Sequence, residues 1–277
     1  MNSLSPQPYK GTRDFYPADK RVQNYIFSVW RKISESFGYE EYGAPILEPL
    51  EVYVAKSGQE LSSEQTYTFT DRGDRVVAIR PEMTPSVSRM VAAKRQELAY
   101  PARLYSIANF MRYERPQKGR EREFWQLNID IFGDDSMSAE AEIISMSDAI
   151  MRQFGANPTD YVIKVNNRKL INLIMAQYLE LDSAKALAMI KLFDRKNKIS
   201  QQDFTDQAAE IFDGQAASGL DKVNTLLNAK TMADLPQIIR DSSVVREIQT
   251  LFTMLERGGV TNVVFDITLM RGFDYYT

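Results

Sequence analysis

The sequence predicts an α+β fold in which an antiparallel sheet, flanked by helices, is interrupted by an inserted helical domain. Two observations carry this. Strand-like runs joined by short turns occupy residues 66–80 and 103–133, with helical periodicity before, between and after them. From about residue 168 to residue 257 the alternation gives way to helical segments, and strand character returns in VTNVVFDITLMRGFDYYT. Strands interleaved with segregated helices are the pattern of α+β chains. The expected segmentation is 1–167 for the sheet domain, 168–257 for the helical insertion and 258–277 for the return to the first domain.

The elements follow in order. In residues 18–37, Val22, Ile26, Val29, Trp30, Ile33 and Phe37 recur at spacings of three and four, which puts them on one helical face. Gly38 stops that helix, and Pro45 and Pro49 keep the next stretch extended. TYTFT (66–70) and RVVAIR (75–80) flank Asp71-Arg72-Gly73-Asp74 as a hairpin. The embedded Arg-Gly-Asp is explained by turn chemistry. A helix is expected from Pro85 to about Leu98, carrying Val87, Met90 and Val91. Two longer strands, 103–114 and 123–133, are joined by a charged loop. In the second, Phe124, Gln126, Asn128 and Asp130 share one face, while Trp125, Leu127, Ile129 and Ile131 share the other. A helix with Ile143, Ile144, Met146, Ala149 and Ile150 precedes a strand at 161–165.

Composition narrows the chemistry. The chain of 277 residues has no Cys and no His, which removes disulfides, thiol nucleophiles, Cys/His zinc sites and Ser-His-Asp arrangements. What remains are carboxylates, Arg and Lys, hydroxyls and backbone amides. That set suits phosphoryl or nucleotidyl chemistry, in which positioning and charge neutralisation dominate. No apolar run reaches membrane-spanning length, and the N-terminus lacks the organisation of a signal peptide, so a cytoplasmic protein without a membrane partner is expected. The 168–257 segment balances 12 Lys/Arg against 12 Asp/Glu and shows no nucleic-acid footprint.

Against a net charge of −3, the stretch RYERPQKGREREF (112–124) gathers five basic and three acidic residues in thirteen positions. Alone, it reads as a solvated hairpin tip. Its neighbours change that reading. GTRDFYP (11–17), GYEEYGAP (38–45), IRPEMTPS (79–86), RYERPQKGREREFWQLNIDIFG (112–133) and MRGFDYYT (270–277) together resemble the class II aminoacyl-tRNA synthetases, and within them the histidyl-tRNA synthetase family. The blocks look like that family's N-terminal signature, its motif 1, its amino-acid-binding loop, its motif 2 and its histidine-specific motif. The resemblance implies a class II catalytic core at 1–167 and 258–277.

The resemblance also implies roles. Arg112 would contact the α-phosphate of ATP, Glu114 the adenine amino group and Arg120 the γ-phosphate, with Phe124 stacked on adenine and Mg2+ accompanying the phosphates. Guanidinium forks and aromatic faces suit those partners. Glu82, Thr84, Gln126 and Asp130 would surround the ammonium and carboxylate of L-histidine, with Tyr275 and Tyr276 defining the side-chain pocket. Many relatives carry Glu where Asp130 stands. Arg271 would face Arg112 across the α-phosphate, in both catalysis and histidine binding, with no protein-held metal. The alternative readings are a helix cap for Thr84, a core position for Tyr276 and a surface pair for Arg112 with Glu114.

The implied activity is that of a histidine–tRNA ligase, with histidine tRNA as partner and a homodimer built on motif 1. Two alternatives share the likeness: a regulatory paralogue acting on ATP phosphoribosyltransferase, and a synthetase-like sensor of uncharged tRNA. Nothing in the sequence resembles motif 3 or an anticodon-binding domain. The chain is therefore expected to be a fragment ending before motif 3, with little activity by itself.

Overall fold

The computed structural model describes residues 5–54, 65–213 and 216–269, which fall into two compact units, Met1–Asp135 and Ser136–Thr277.

In the first unit, α1 (Pro17–Ser36) starts with Pro in its first turn, where the missing N–H is not needed, and ends before Gly38 at φ +82°. Val29 and Ile33 are buried as the spacing predicts, but Val22 is 60% exposed. Gln23 turns inward instead, accepting a hydrogen bond from Lys20 Nζ at 2.6 Å. The extended stretch yields β1 (Glu40–Glu41) and β2 (Leu47–Pro49), followed by the short helix α2 (Glu51–Val54).

The hairpin forms between β3 (Thr68–Thr70) and β4 (Val76–Ile79). Asp71 accepts from the amides of Gly73 and Arg75, and Asp74 takes φ +56°, the conformation a short turn demands. Helix α3 (Thr84–Ala93) is shorter than expected. The Lys94–Glu97 stretch beyond it is exposed and offers nothing apolar to bury, so the chain turns there instead. The longest strands, β5 (Ala102–Met111) and β6 (Glu123–Phe132), pair along their whole length.

The second unit contains α4 (Met137–Gln153), β7 (Ile163–Val165), a helical array, and β8 (Val263–Phe265). The array comprises α5 (Arg168–Leu173), α6 (Ser183–Arg195), α7 (Gln201–Phe212), α8 (Ala216–Asn228), α9 (Gln237–Arg240) and α10 (Ser243–Arg257). Asn167, Asp182, Ser200 and Ser242 cap four of these helices with side-chain oxygens. Their inward stripes meet in a core that includes Leu170, Met189, Phe204, Val223, Ile239 and Ile248. A smaller cluster of Ala141, Leu251, Leu255 and Val260 packs with Ile163, Val165 and Val263.

The expected antiparallel sheet is realised in part. Among the described residues there are three sheets. Strands β2, β4 and β3 are antiparallel, and so are β5 and β6, but β1 runs parallel to β5, and β7 parallel to β8. Parallel partners need long connections, and both pairs are separated in sequence by helices. Alternation in a sequence reports the two faces of a strand and says nothing about the direction of its neighbour.

Candidate active site

The β5–β6 ribbon fixes which residues of the two strands share a face. Phe124 lies opposite Phe110, Gln126 opposite Ala108, Asn128 opposite Ser106 and Asp130 opposite Leu104. Directly opposed residues share a face. On the reverse face, Trp125 packs against Phe27 of α1 with ring centroids 5.0 Å apart. Helix α1 thus covers one side of the ribbon, and the other presents Gln126, Asn128 and Asp130.

At the loop end of that polar face stand Phe124 and Arg112. The Arg112 guanidinium lies 5.2 Å from the Phe124 ring, and its Nε donates to the Pro81 carbonyl at 3.0 Å. Burial holds Arg112 below the ordinary guanidinium range, the nearby Glu82 carboxylate works against that, and Arg120 adds to it. Glu82 is itself buried, 6% exposed. Phe124 is less isolated than its position on a polar face suggests. It packs at the margin of a small cluster of Met83, Ala108 and Phe110, its ring 5.9 Å from that of Phe110.

What places the 80–83 segment over β5 is Arg80, which sequence reading passed over. Its guanidinium donates to the carbonyls of Ala44 and Asn109 and to Asn109 Oδ1, at 2.8, 2.9 and 3.1 Å, and lies 5.4 Å from the Phe110 ring. Its position inside IRPEMTPS was visible in the sequence, but its carbonyl partners lie far along the chain.

The loop between the strands is closed by a short bridge between Gln117 and Arg120, with Gly119 at φ +78°. Glu114, whose side chain is largely buried, is ion-paired to the more exposed Arg120. Gln65, Tyr113, Glu114, Arg115, Gln117, Arg120 and Arg122 line an open cleft of about 630 Å³. Three of these are cationic, so the cleft suits a polyanion.

Farther along the ribbon, burial pushes the Asp130 carboxyl up to about 6, opposed by a hydrogen bond from the Tyr42 hydroxyl. Beside it, Asn128 Oδ1 is buried without a hydrogen-bond partner. Thr84 is exposed at the start of α3, where the N-cap position belongs to Met83 and no side chain caps the helix. The structure therefore brings Arg112, Phe124 and Glu82 together, pairs Glu114 with Arg120, and sets Gln126 and Asp130 on the same ribbon face. Arg271, Tyr275 and Tyr276 lie outside the described residues. Among the described residues, no group of three or more carboxylates is placed to hold a metal ion, and no helix is long and apolar enough to cross a membrane.

Comparison with known proteins gives this geometry a context. A family model described as histidyl-tRNA synthetase matches residues 11–277. A histidine–tRNA ligase of Leptospira biflexa is 43% identical over 99% of this chain, and one of Opitutus terrae is 37% identical over 98%. The chloroplastic/mitochondrial histidine–tRNA ligase of Arabidopsis thaliana is 34% identical over 99%. The chain spans 63% of the length of the first two and 56% of the third. Among solved structures, the histidyl-tRNA synthetase of Nostoc superposes with a TM-score of 0.83 at 21% identity, covering 99% of this chain and 64% of its own. An ATP phosphoribosyltransferase regulatory subunit/histidyl-tRNA synthetase of Bacillus halodurans gives the same TM-score and identity, covering 100% and 72%. At that identity the structures speak for the fold alone.

Proposed function

Because the chain belongs to the histidyl-tRNA synthetase family, we propose that it carries the histidine-activating site of a histidine–tRNA ligase. In this reading L-histidine and ATP form histidyl-adenylate and pyrophosphate, and the histidyl group then passes to the 3′ end of its tRNA. The observation that carries the reading is the ribbon end, where Arg112, Phe124 and Glu82 converge above the polar face of Gln126 and Asp130.

The chemistry assigned to these residues is electrostatic. The histidine carboxylate is already ionised near neutral pH, so its attack on the α-phosphorus needs no general base. Arg112, held by the Pro81 carbonyl, is oriented to neutralise charge on an α-phosphate oxygen as the new bond forms and pyrophosphate leaves. Arg271 is assigned the opposite side of that phosphate by resemblance. Phe124 offers its aromatic face for the adenine ring to stack on, and Glu114 and Arg120 exchange their mutual ion pair for the adenine amino group and the γ-phosphate. Mg2+ enters with the phosphates as part of the substrate. Asp130, Gln126, Glu82 and Thr84 are assigned to histidine, with Tyr275 and Tyr276 at its ring.

The organisation follows the same reading. We assign 1–167 and 258–277 to the catalytic core and 168–257 to an insertion. The parallel pairing of β7 with β8 supports this, because it joins the two flanks of the inserted segment side by side. A cytoplasmic homodimer acting on histidine tRNA completes the proposal.

Histidine-dependent exchange of labelled pyrophosphate into ATP tests it in a version of the chain extended to the length of its relatives. Exchange that requires histidine and falls by about two to three orders of magnitude in Arg271→Ala is expected, the scale of losing one preorganised charge at a reacting oxyanion. Histidine binding without any exchange would favour the regulatory alternative. The retention of Arg112, Glu114, Arg120 and Phe124 together speaks for the ligase.

A further inference from the structure

Arg122 sits where the charged loop re-enters β6, and 9% exposure makes it one of the most buried charged side chains in the first unit. Its partners are carbonyl and hydroxyl oxygens and two aromatic faces. Nε donates to the Glu114 carbonyl at 3.0 Å, and a terminal nitrogen donates to the Tyr9 hydroxyl at 2.9 Å. The guanidinium carbon lies 4.3 Å from the Tyr113 ring and 5.5 Å from that of Tyr9. The Arg122 backbone is equally engaged, with its carbonyl accepting from the Arg112 amide at 2.9 Å and its amide donating to Gly11 O at 2.6 Å. Gly11 stands at φ +85°, and a Cβ there would come within 2.7 Å of Arg122 Cγ, so only glycine permits this approach.

We propose that Arg122 is a positioning residue for the nucleotide half of the site, clamping both ends of the 112–122 loop to the 9–11 segment so that Arg112, Glu114 and Phe124 keep a fixed separation. The inference rests on the ATP reading of that loop. One side chain grips the carbonyl of Glu114, while the same residue's backbone pairs with Arg112 and immediately precedes the rung that leads to Phe124. The loop tip can then move onto phosphates while its base stays in register. A planar fork suits this role, since it spans two acceptors at fixed angles and stacks on rings, and a lysine ammonium does neither. Arg122 also lines the polar cleft, to which it adds positive charge.

The test measures ATP and histidine affinity by calorimetry, the ATP KM in pyrophosphate exchange, and thermal stability, for the protein as encoded and for Arg122→Ala, Arg122→Lys and Tyr9→Phe. Arg122→Ala is expected to weaken ATP binding and raise the ATP KM by about tenfold or more, as displacement of positioned groups does, with histidine affinity within about twofold. Arg122→Lys should keep most of that loss despite its charge, and Tyr9→Phe should show a smaller loss in the same direction. Should Arg122→Ala fail to fold, Tyr9→Phe decides. Unchanged ATP affinity in the folded variants, full rescue by Lys, or an equal fall in both affinities overturns the assignment alone. An unaltered protein that binds no ATP overturns the nucleotide reading and the assignment with it.

Discussion

The Tyr42 hydroxyl donates to Asp130 Oδ2 across 3.3 Å, linking the segment after β1 to the inner half of β6. The bond favours the carboxylate, yet burial outweighs it and pushes Asp130 up to about 6. The folded chain therefore holds this proton at pH values where an unfolded aspartate has lost it. Between about pH 4 and pH 6 the folded state binds more protons, so stability falls as pH rises through that window, and above it the whole penalty is present.

Asp130→Asn should relieve that penalty. The expected gain at pH 7.5 is up to about 3 kcal/mol, shrinking towards zero at pH 3.5, and if Asp130 is the acceptor for a substrate ammonium, histidine affinity should fall with it. Urea denaturation at the two pH values and a histidine titration check it. A stability change independent of pH would place its cause elsewhere than in ionisation.

Arg120→Ala addresses the loop. The Arg120 side chain is 56% exposed on the loop between β5 and β6, so the expected stability change is within about 0.5 kcal/mol. ATP affinity should nonetheless drop severalfold if this cation reaches the γ-phosphate. Calorimetry showing equal ATP affinity in both proteins would remove Arg120 from the site.

Arg80→Ala behaves oppositely. Three hydrogen bonds and an aromatic contact are lost, and two backbone carbonyls lose a donor, so unfolding free energy should fall by about 2–4 kcal/mol. Arg80→Lys should recover only part of this, because one ammonium cannot span acceptors on both Ala44 and Asn109. Chemical denaturation gives the values, and a fully stable Arg80→Ala would show that the 80–83 segment is held by its packing alone.

Gly219→Ala tests the helical unit. In an open helix the change would stabilise by about 1 kcal/mol. Here the new Cβ would lie 2.3–2.5 Å from ring carbons of the buried Phe212, near the base of its ring. Overpacking of that kind costs about 1–3 kcal/mol, so the net sign is destabilising. A higher melting temperature would mean that Phe212 can turn aside freely.

By itself the sequence determined the spacing of α1, the turn chemistry between β3 and β4, the long β5–β6 pair and the sidedness of β6, because each is a local property of period, glycine or turn residue. The family likeness was legible for the same reason, as short blocks of adjacent residues such as RPQKGR. The tertiary structure alone decided that β1 and β7 find parallel partners, that Val22 faces out while Gln23 faces in, and that Phe124 leans on Phe110. It alone showed which carbonyls, hydroxyls and rings the Arg80 and Arg122 guanidinium groups reach. Arg122 meets a tyrosine 113 positions away, and no periodicity in a sequence encodes which distant carbonyl or ring a guanidinium will reach. That choice is made when buried polar groups find partners as the chain closes around them.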